Sequence, residues 1–221
     1  VPATDEESHY RRRDAVADHK RSLILRAALE VFHTDGLEGA SMRAIAKQAG
    51  YTPGAIYAYF PSKEHIYAAA LRESLGRLGA ATTGAAVGAR SPIQQFEAAG
   101  LAFFDFYRTN PRELDLGFYL FRGGMQPRGL SPELDRELNA ALLAALDPLR
   151  RAVRATGRGE RAAACLVADA FAHASGLLLL EHTGRIGLFP CTGRELMHRH
   201  LKKLLGEGSF SRTRRSTTRQ S

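Results

Sequence analysis

Between Leu23 and Phe32 apolar residues return every third or fourth position, as Leu23, Ile24, Ala27, Ala28, Val31 and Phe32. That period belongs to an α-helix with one buried face, and it predicts a helix over about Asp18–Thr34, closed by Gly36 as a C-terminal cap. A second apolar set, Met42, Ile45, Ala46 and Ala49, follows Ser41, a good N-cap, and stops at Gly50. Thr52 and Pro53, cap and first helical position, open a third, very short helix that ends near Phe60. Ser62 starts a fourth, reaching about Gly84. Further on, Ser91-Pro92-Ile93-Gln94, Asn110-Pro111-Arg112-Glu113 and Thr192-Gly193-Arg194-Glu195 carry the capping-box spacing and open the fifth, sixth and ninth helices. Ser131-Pro132 opens the seventh, to about Ala155, and the eighth spans about Arg161–Thr183. No strand pattern competes, so the expected fold is all-α with about nine helices.

Three short helices with almost no linker between them form the layout of a helix-turn-helix reader of duplex DNA. Ile45, Ala46, Ala49, Ile56 and Phe60 supply the packing face, and Gly50 the tight turn. The groove side is then Thr52, Pro53, Gly54, Ala55, Tyr57, Ala58 and Tyr59. Small residues let a helix approach base edges, and an Ala methyl can touch a thymine methyl. Hydroxyls of Thr52, Tyr57 and Tyr59 can donate to phosphates and fix register. Lys63 sits where free helix N–H groups favour a phosphate, and Ser41 and Arg43 are placed to grip the backbone on the other side. Plainer readings stand beside these: Tyr57 and Tyr59 as packing residues, Thr52 as a cap alone, Arg43 as a solvated helix residue. The expected organisation is a polar arm over 1–17, the reader over 18–61, a larger helical domain over 62–206 and a basic tail over 207–221.

Charge refines this picture. The chain carries a net +8, but residues 1–75 hold ten basic and ten acidic side chains, and residues 76–150 eight of each. The whole excess lies in 151–221, with thirteen against five, partly in the Ser/Thr-rich tail with Arg212, Arg214, Arg215 and Arg219. DNA reading must therefore rest on placement of charge, not on its total. Composition favours a solvated tail, with nonspecific attraction to nucleic acid as the other reading. Arg11-Arg12-Arg13 likewise reads as a solvated terminus or as a minor-groove arm.

The segment closely resembles the TetR family of bacterial transcriptional regulators. The residues that carry the likeness are Ile24-Leu25, Ala27-Ala28, Phe32, Gly36, Ser41, Ile45-Ala46, Ala49-Gly50, Ile56-Tyr57, Tyr59-Phe60 and Ser62-Lys63-Glu64. The resemblance implies a homodimer on a near-palindromic operator of double-stranded DNA, released or tightened by a small molecule. The remaining helices would then form the effector-binding and dimerisation domain, and repression is the expected mode. A helix-turn-helix adaptor or activator working through a protein partner is the alternative.

Within that larger domain the aromatics Phe96, Phe103, Phe104, Tyr107, Phe118 and Phe121, with Met125 and His173, would wall a pocket for a mostly apolar or aromatic effector. Taken singly each of them reads first as core, and His173 as a satisfied core histidine; only as a cluster do they read equally as a pocket wall. Apolar stripes on the last two helices include Phe171, Ser175, Leu178 and Leu179, and Met197, Leu201 and Leu204. Paired with a second copy they would make a four-helix interface. A catalyst is not expected: no Gly-rich phosphate loop, GxSxG or HExxH occurs, and His198 and His200 stand two apart on different sides of a helix. No cofactor or metal is expected. Cys165 and Cys191 make no disulfide framework and read as buried inert thiols, with a redox switch as the other reading. No apolar run of about 18 residues and no secretory leader are visible, so no membrane span and a cytoplasmic setting are expected.

Overall fold

A computed structural model describes residues 5–117 and 130–206, with the backbone alone for 5–12. All regular elements among the described residues are helical: α1 (Asp5–Gly39), α2 (Met42–Ala49), α3 (Pro53–Tyr57), α4 (Lys63–Val87), α5 (Pro92–Thr109), α6 (Pro111–Gly117), α7 (Pro132–Ala155), α8 (Glu160–His182), a 3-10 turn (Arg185–Leu188) and α9 (Gly193–Gly206). Boundaries fall within a few residues of those expected, with one exception. The first helix begins at Asp5, so most of the expected polar arm is helical. No apolar stripe announces this part of the helix, whereas Glu, Arg and Ala favour helix by propensity. Gly36 breaks α1 with φ 70° and ψ 173°, a backbone state that suits glycine, and Leu37–Gly39 form a short turn behind it.

The chain forms two compact units, which do not follow the expected division near residue 61. The first gathers the described residues of Val1–Gly79 and Asn110–Ala145, so α6 and the first part of α7 join the reading helices. The second gathers those of Ala80–Thr109 and Leu146–Ser221. Helix α4 contributes to both, and so does α7. A long-range pairing of this kind leaves no local mark on the sequence.

The first unit buries Ile24, Leu25, Ala28, Val31 and Phe32 of α1 with Ile45 and Ala46 of α2, Ile56 and Phe60 around α3, and Ile66 and Tyr67 of α4. The Phe32 and Tyr67 rings meet edge to face at 5.4 Å. Helix α6 is tied to this core by the Tyr67 hydroxyl, which donates to the Leu116 carbonyl, and by Arg112–Glu30 at 2.8 Å and Arg77–Glu113 at 2.5 Å. In the second unit α5, α8 and α9 pack together. Leu201 fills the space above Gly100, where a Cβ would come within 2.7 Å of it. Arg194 grips Asp105 with Nε at 3.1 and 2.9 Å from its two oxygens, and Glu181 accepts from the Gly193 N–H at 3.0 Å. The Thr192–Glu195 capping box closes reciprocally: Glu195 N–H donates to Thr192 Oγ1 at 3.2 Å, and Thr192 N–H to Glu195 Oε2 at 2.8 Å.

Candidate DNA-reading surface

Local chemistry sets the turn between α2 and α3. Ser41 Oγ accepts from the Ala44 N–H at 3.1 Å and starts α2. Gly50 ends it in the left-handed region, φ 72° and ψ 27°, and the Tyr51 N–H returns to the Ala46 carbonyl at 2.9 Å. Thr52 Oγ1 accepts from the Ala55 N–H at 3.3 Å, and Pro53 occupies the first turn where no N–H is needed. Five residues cannot hold a helix by propensity alone. Ile56, fully buried, and Phe60 just beyond hold α3 to the unit, and the Arg21 guanidinium lies 4.4 Å over the Phe60 ring.

This anchoring presents the groove-side residues outward. Thr52, Pro53, Gly54 and Ala58 are exposed, Ala55 and Tyr59 half-buried, and Tyr57 is 55% exposed. Thr52 uses only an acceptor lone pair in its cap, so its O–H is still free to donate. Nothing lies within 4 Å of a Cβ built on Gly54, so its smallness answers no internal contact. Arg43 is exposed on α2 without an ion partner among the described residues. Lys47, not singled out from the sequence, stands in the same condition one turn later. Its signal was the i,i+4 spacing from Arg43, which puts two cations on one flank of the reader.

Lys63 has a different occupation. Its Nζ donates to the carbonyls of Leu37, Glu38 and Ala40 at 2.8, 3.1 and 2.9 Å. An ammonium has three protons, and all three are engaged in stapling α4 to the end of α1. The expected phosphate contact by this side chain is thereby replaced by a structural one. The reason is a 26-residue separation between partners that the sequence does not display.

The described part of the expected effector wall is buried, apart from the half-buried His173. Phe96, Phe103, Phe104 and Tyr107 are all buried, and Phe103 lies edge to face with Tyr107 at 5.2 Å and Phe171 at 5.7 Å. Phe118, Phe121 and Met125 lie outside the described residues, as does the basic tail. His173 is half-buried and stacks on His200 at 3.8 Å. Burial lowers the His173 pKa below its ordinary value, and the neighbouring His200 pushes it the same way.

The expected dimer face divides in two. Leu178, Met197 and Leu201 are buried within the protomer and cannot meet a second copy. Phe171 packs on Phe103, Ser175 donates to the Phe171 carbonyl at 2.8 Å, and Leu204 is half-buried. Leu179, by contrast, is 64% exposed. It continues an exposed line of Cys165, Ala168, Ala172 and Gly176, spaced three or four apart, so Cys165 is not the buried thiol expected, and Cys191 is only half-buried. Helix α8 is apolar on opposite sides, so its stripe could not be assigned inward or outward from sequence. Its length and mean hydropathy of 1.7 would suffice to cross a membrane, but one face packs against α5 and α9 as a core helix does.

The match to known proteins concentrates on the reader. The family described as bacterial regulatory proteins, tetR family, covers residues 24–70. The transcriptional repressor KstR of Mycolicibacterium smegmatis is 38% identical over 76 residues, 34% of this chain and 37% of that protein. The transcriptional activator FasR of the same organism is 36% identical over 89 residues, 40% of this chain and 41% of its own. The matched stretch thus spans well under half the length of these relatives. Over the longer chain only the fold is shared: FadR of Bacillus subtilis, solved with stearoyl-CoA, superposes with a TM-score of 0.66 at 19% identity, covering 83% of this chain and 96% of that one. The matched segment runs from α1 through α2, α3 and the start of α4, so the reading helices are similar to those of the tetR family of bacterial regulatory proteins, and the helices behind them share the fold of the solved structure.

Proposed function

We propose that the protein is a transcriptional regulator that binds a near-palindromic operator as a homodimer, with α3 in the major groove. The observation that carries this reading is the outward face of α3: small and hydroxyl residues exposed beside Arg43 and Lys47, on a helix too short to exist without its anchors. In this reading Thr52, Tyr57 and Tyr59 donate to phosphates, and Gly54, Ala55 and Ala58 approach base edges. Ser41, Arg43 and Lys47 hold the flanking backbone. The exposed α8 line from Cys165 to Leu179 pairs with its copy in the partner, since small residues allow two helices to approach closely. Such a protein works beside chromosomal DNA, in the cytoplasm.

The regulator responds to a small, mostly apolar or aromatic effector held beside the α5 aromatics and His173. Helix α4 runs from the reading unit into the second unit, so a ligand that prefers one of its positions changes the spacing of the two reading helices. Half-sites stand about 34–36 Å apart, and a shift of a few ångströms prevents simultaneous engagement. Long-chain acyl-CoA, the type of ligand bound by the Bacillus subtilis protein, is a first class to screen. Repression is the primary reading, and the likeness to FasR supports activation as the second. Selection of binding sites from random duplexes tests the core of this proposal. Recovery of inverted half-sites one helical turn apart supports it, whereas enrichment of no sequence refutes it. A reporter fused to the recovered operator then separates repression from activation.

A further inference from the structure

Helices α8 and α9 pack together in the second unit, and each buries apolar residues, among them Ala170 and Ala174 of α8 and Met197 and Leu201 of α9. One contact between the two helices is polar. The ring of His173 on α8 lies flat on the ring of His200 on α9, with centroids 3.8 Å apart and planes 17° from parallel. The Nε2 atoms of both rings are shut off from solvent, and neither has a hydrogen-bond partner among the described residues. Buried polar atoms almost always find a partner, so two such atoms on stacked rings need a reason.

Asp169 stands one turn before His173 on α8. Its Oδ1 lies 3.3 Å from His200 Nε2, within reach of an ion pair although not aligned as a hydrogen bond. Burial, and then His200, oppose a proton on His173, while the Leu196 carbonyl of α9 and Asp169 favour it less strongly. The carboxylates of α5 that face α9 are engaged elsewhere, Glu97 opposite His198 at 3.7 Å and Asp105 with Arg194 at 2.9 Å. Arg185 of the 3-10 turn is exposed. One carboxylate therefore serves two rings. A single proton leaves one cation beside Asp169 with a neutral ring against its face. Two protons set like charges face to face where little water can screen them. We infer that Asp169, His200 and His173 form an acid-sensitive latch that holds α9 on α8, closed while no more than one ring is charged and opened by the second proton. Asp169 and His173 stand next to Ala168, Ala172 and Gly176 of the exposed α8 line. Opening the latch displaces that line, so acid weakens the homodimer, a consequence that rests on the α8 pairing proposed above.

Hydrogen exchange of the full chain, without DNA, is followed by mass spectrometry near pH 7.5 and near pH 5.5, with exchange times scaled for the intrinsic pH dependence of amides. Peptides from α9 should lose protection by about fivefold or more in acid, while peptides from α2 stay equally protected. His173→Gln and His200→Gln each leave one ring, and both should remove the acid loss. Asp169→Asn keeps the stack without its carboxylate and should move the loss toward neutral pH. Equal α9 protection at both pH values in the wild type would overturn the inference. So would an undiminished acid loss in the two glutamine variants. Sedimentation of the same samples reads the consequence: the wild-type dimer should dissociate about fivefold more readily near pH 5.5, and the His173→Gln dimer equally at both. Opening of α9 with an unchanged dimer would refute the link to assembly. A chain that is monomeric throughout, with α9 still opening in acid, would refute the α8 pairing and uphold the latch.

Discussion

Helices α3 and α8 place function under opposite physical constraints. Helix α3 has five residues and one buried side chain, Ile56, and nearly everything else on it faces outward. Helix α8 has twenty-three residues, buries Ala163, Leu166, Val167, Ala170, Ala174, Leu177 and Leu178, and still leaves an apolar line exposed. The short helix exists only because caps and two anchors fix it, so its surface residues are free to serve recognition. The long helix is secured by its packing, and the same residue types serve the core on one side and association on the other. The lesson is that exposure is cheap to read where a helix is built from caps, and hard to read where it is built from apolar faces.

The largest effect that tests this contrast is on assembly. Ala172→Arg, on the exposed line of α8, should abolish the dimer and with it specific operator binding, while the isolated protomer keeps its helicity. Sedimentation across a concentration series checks it, and an undisturbed dimer would remove α8 from the interface. Ile56→Ala should come next, costing about 2–5 kcal/mol through the cavity left under α3 and lowering the melting temperature of the reading unit. The same loss is not expected from truncating the exposed Leu179.

Lys63→Ala sharpens the division inside the reader. Loss of three charge-assisted bonds to carbonyls should cost about 1–3 kcal/mol of stability, measured by denaturant unfolding. The salt dependence of operator binding should be unchanged by it. Arg43→Ala and Lys47→Ala should do the reverse, leaving stability intact and lowering the log–log salt slope by about 0.9 for each phosphate contact removed. Thr52→Ala should remove about 1 kcal/mol as a lost N-cap.

The smallest expected effect is a pH dependence in the second unit. Burial, and then His200, hold the His173 pKa below its ordinary value, so the unfolded chain binds more protons as the solution is acidified. Stability should be full above the unfolded histidine pKa, about 6.5, and decline as pH falls below it. The groups around it are His200 stacked on its ring and Asp169, 3.3 Å from His200, which moderates the repulsion. Thermal melts between pH 7 and 5 should flatten in His173→Gln, and an identical slope in both proteins would contradict this assignment.

Much of this molecule was legible in the chain. Ser41, Gly50, Thr52 and Pro53 fixed the turn because capping is local chemistry, and each does in space what its position implied. The aromatic spacing of α5 marked an apolar face, and Phe96, Phe103 and Phe104 are buried on it; periodicity tells which side is buried and not whether a space remains beside it. Lys63 was misleading for another reason: its three acceptors lie more than twenty residues away. The grouping of α6 with α1, through Arg112–Glu30 and Tyr67–Leu116, was invisible on the same ground.

The most direct test of the central claim is the operator affinity of Tyr57→Ala measured beside its melting temperature, near 0.15 M salt and against excess random duplex. Tyr57 is 55% exposed and makes no packing contribution to α3 comparable with that of Ile56. The account predicts a loss of about tenfold or more in specific affinity at unchanged stability and unchanged dimerisation. Operator affinity equal to that of the wild type, in a protein that melts and dimerises normally, would contradict the assignment of this face of α3 as the reader.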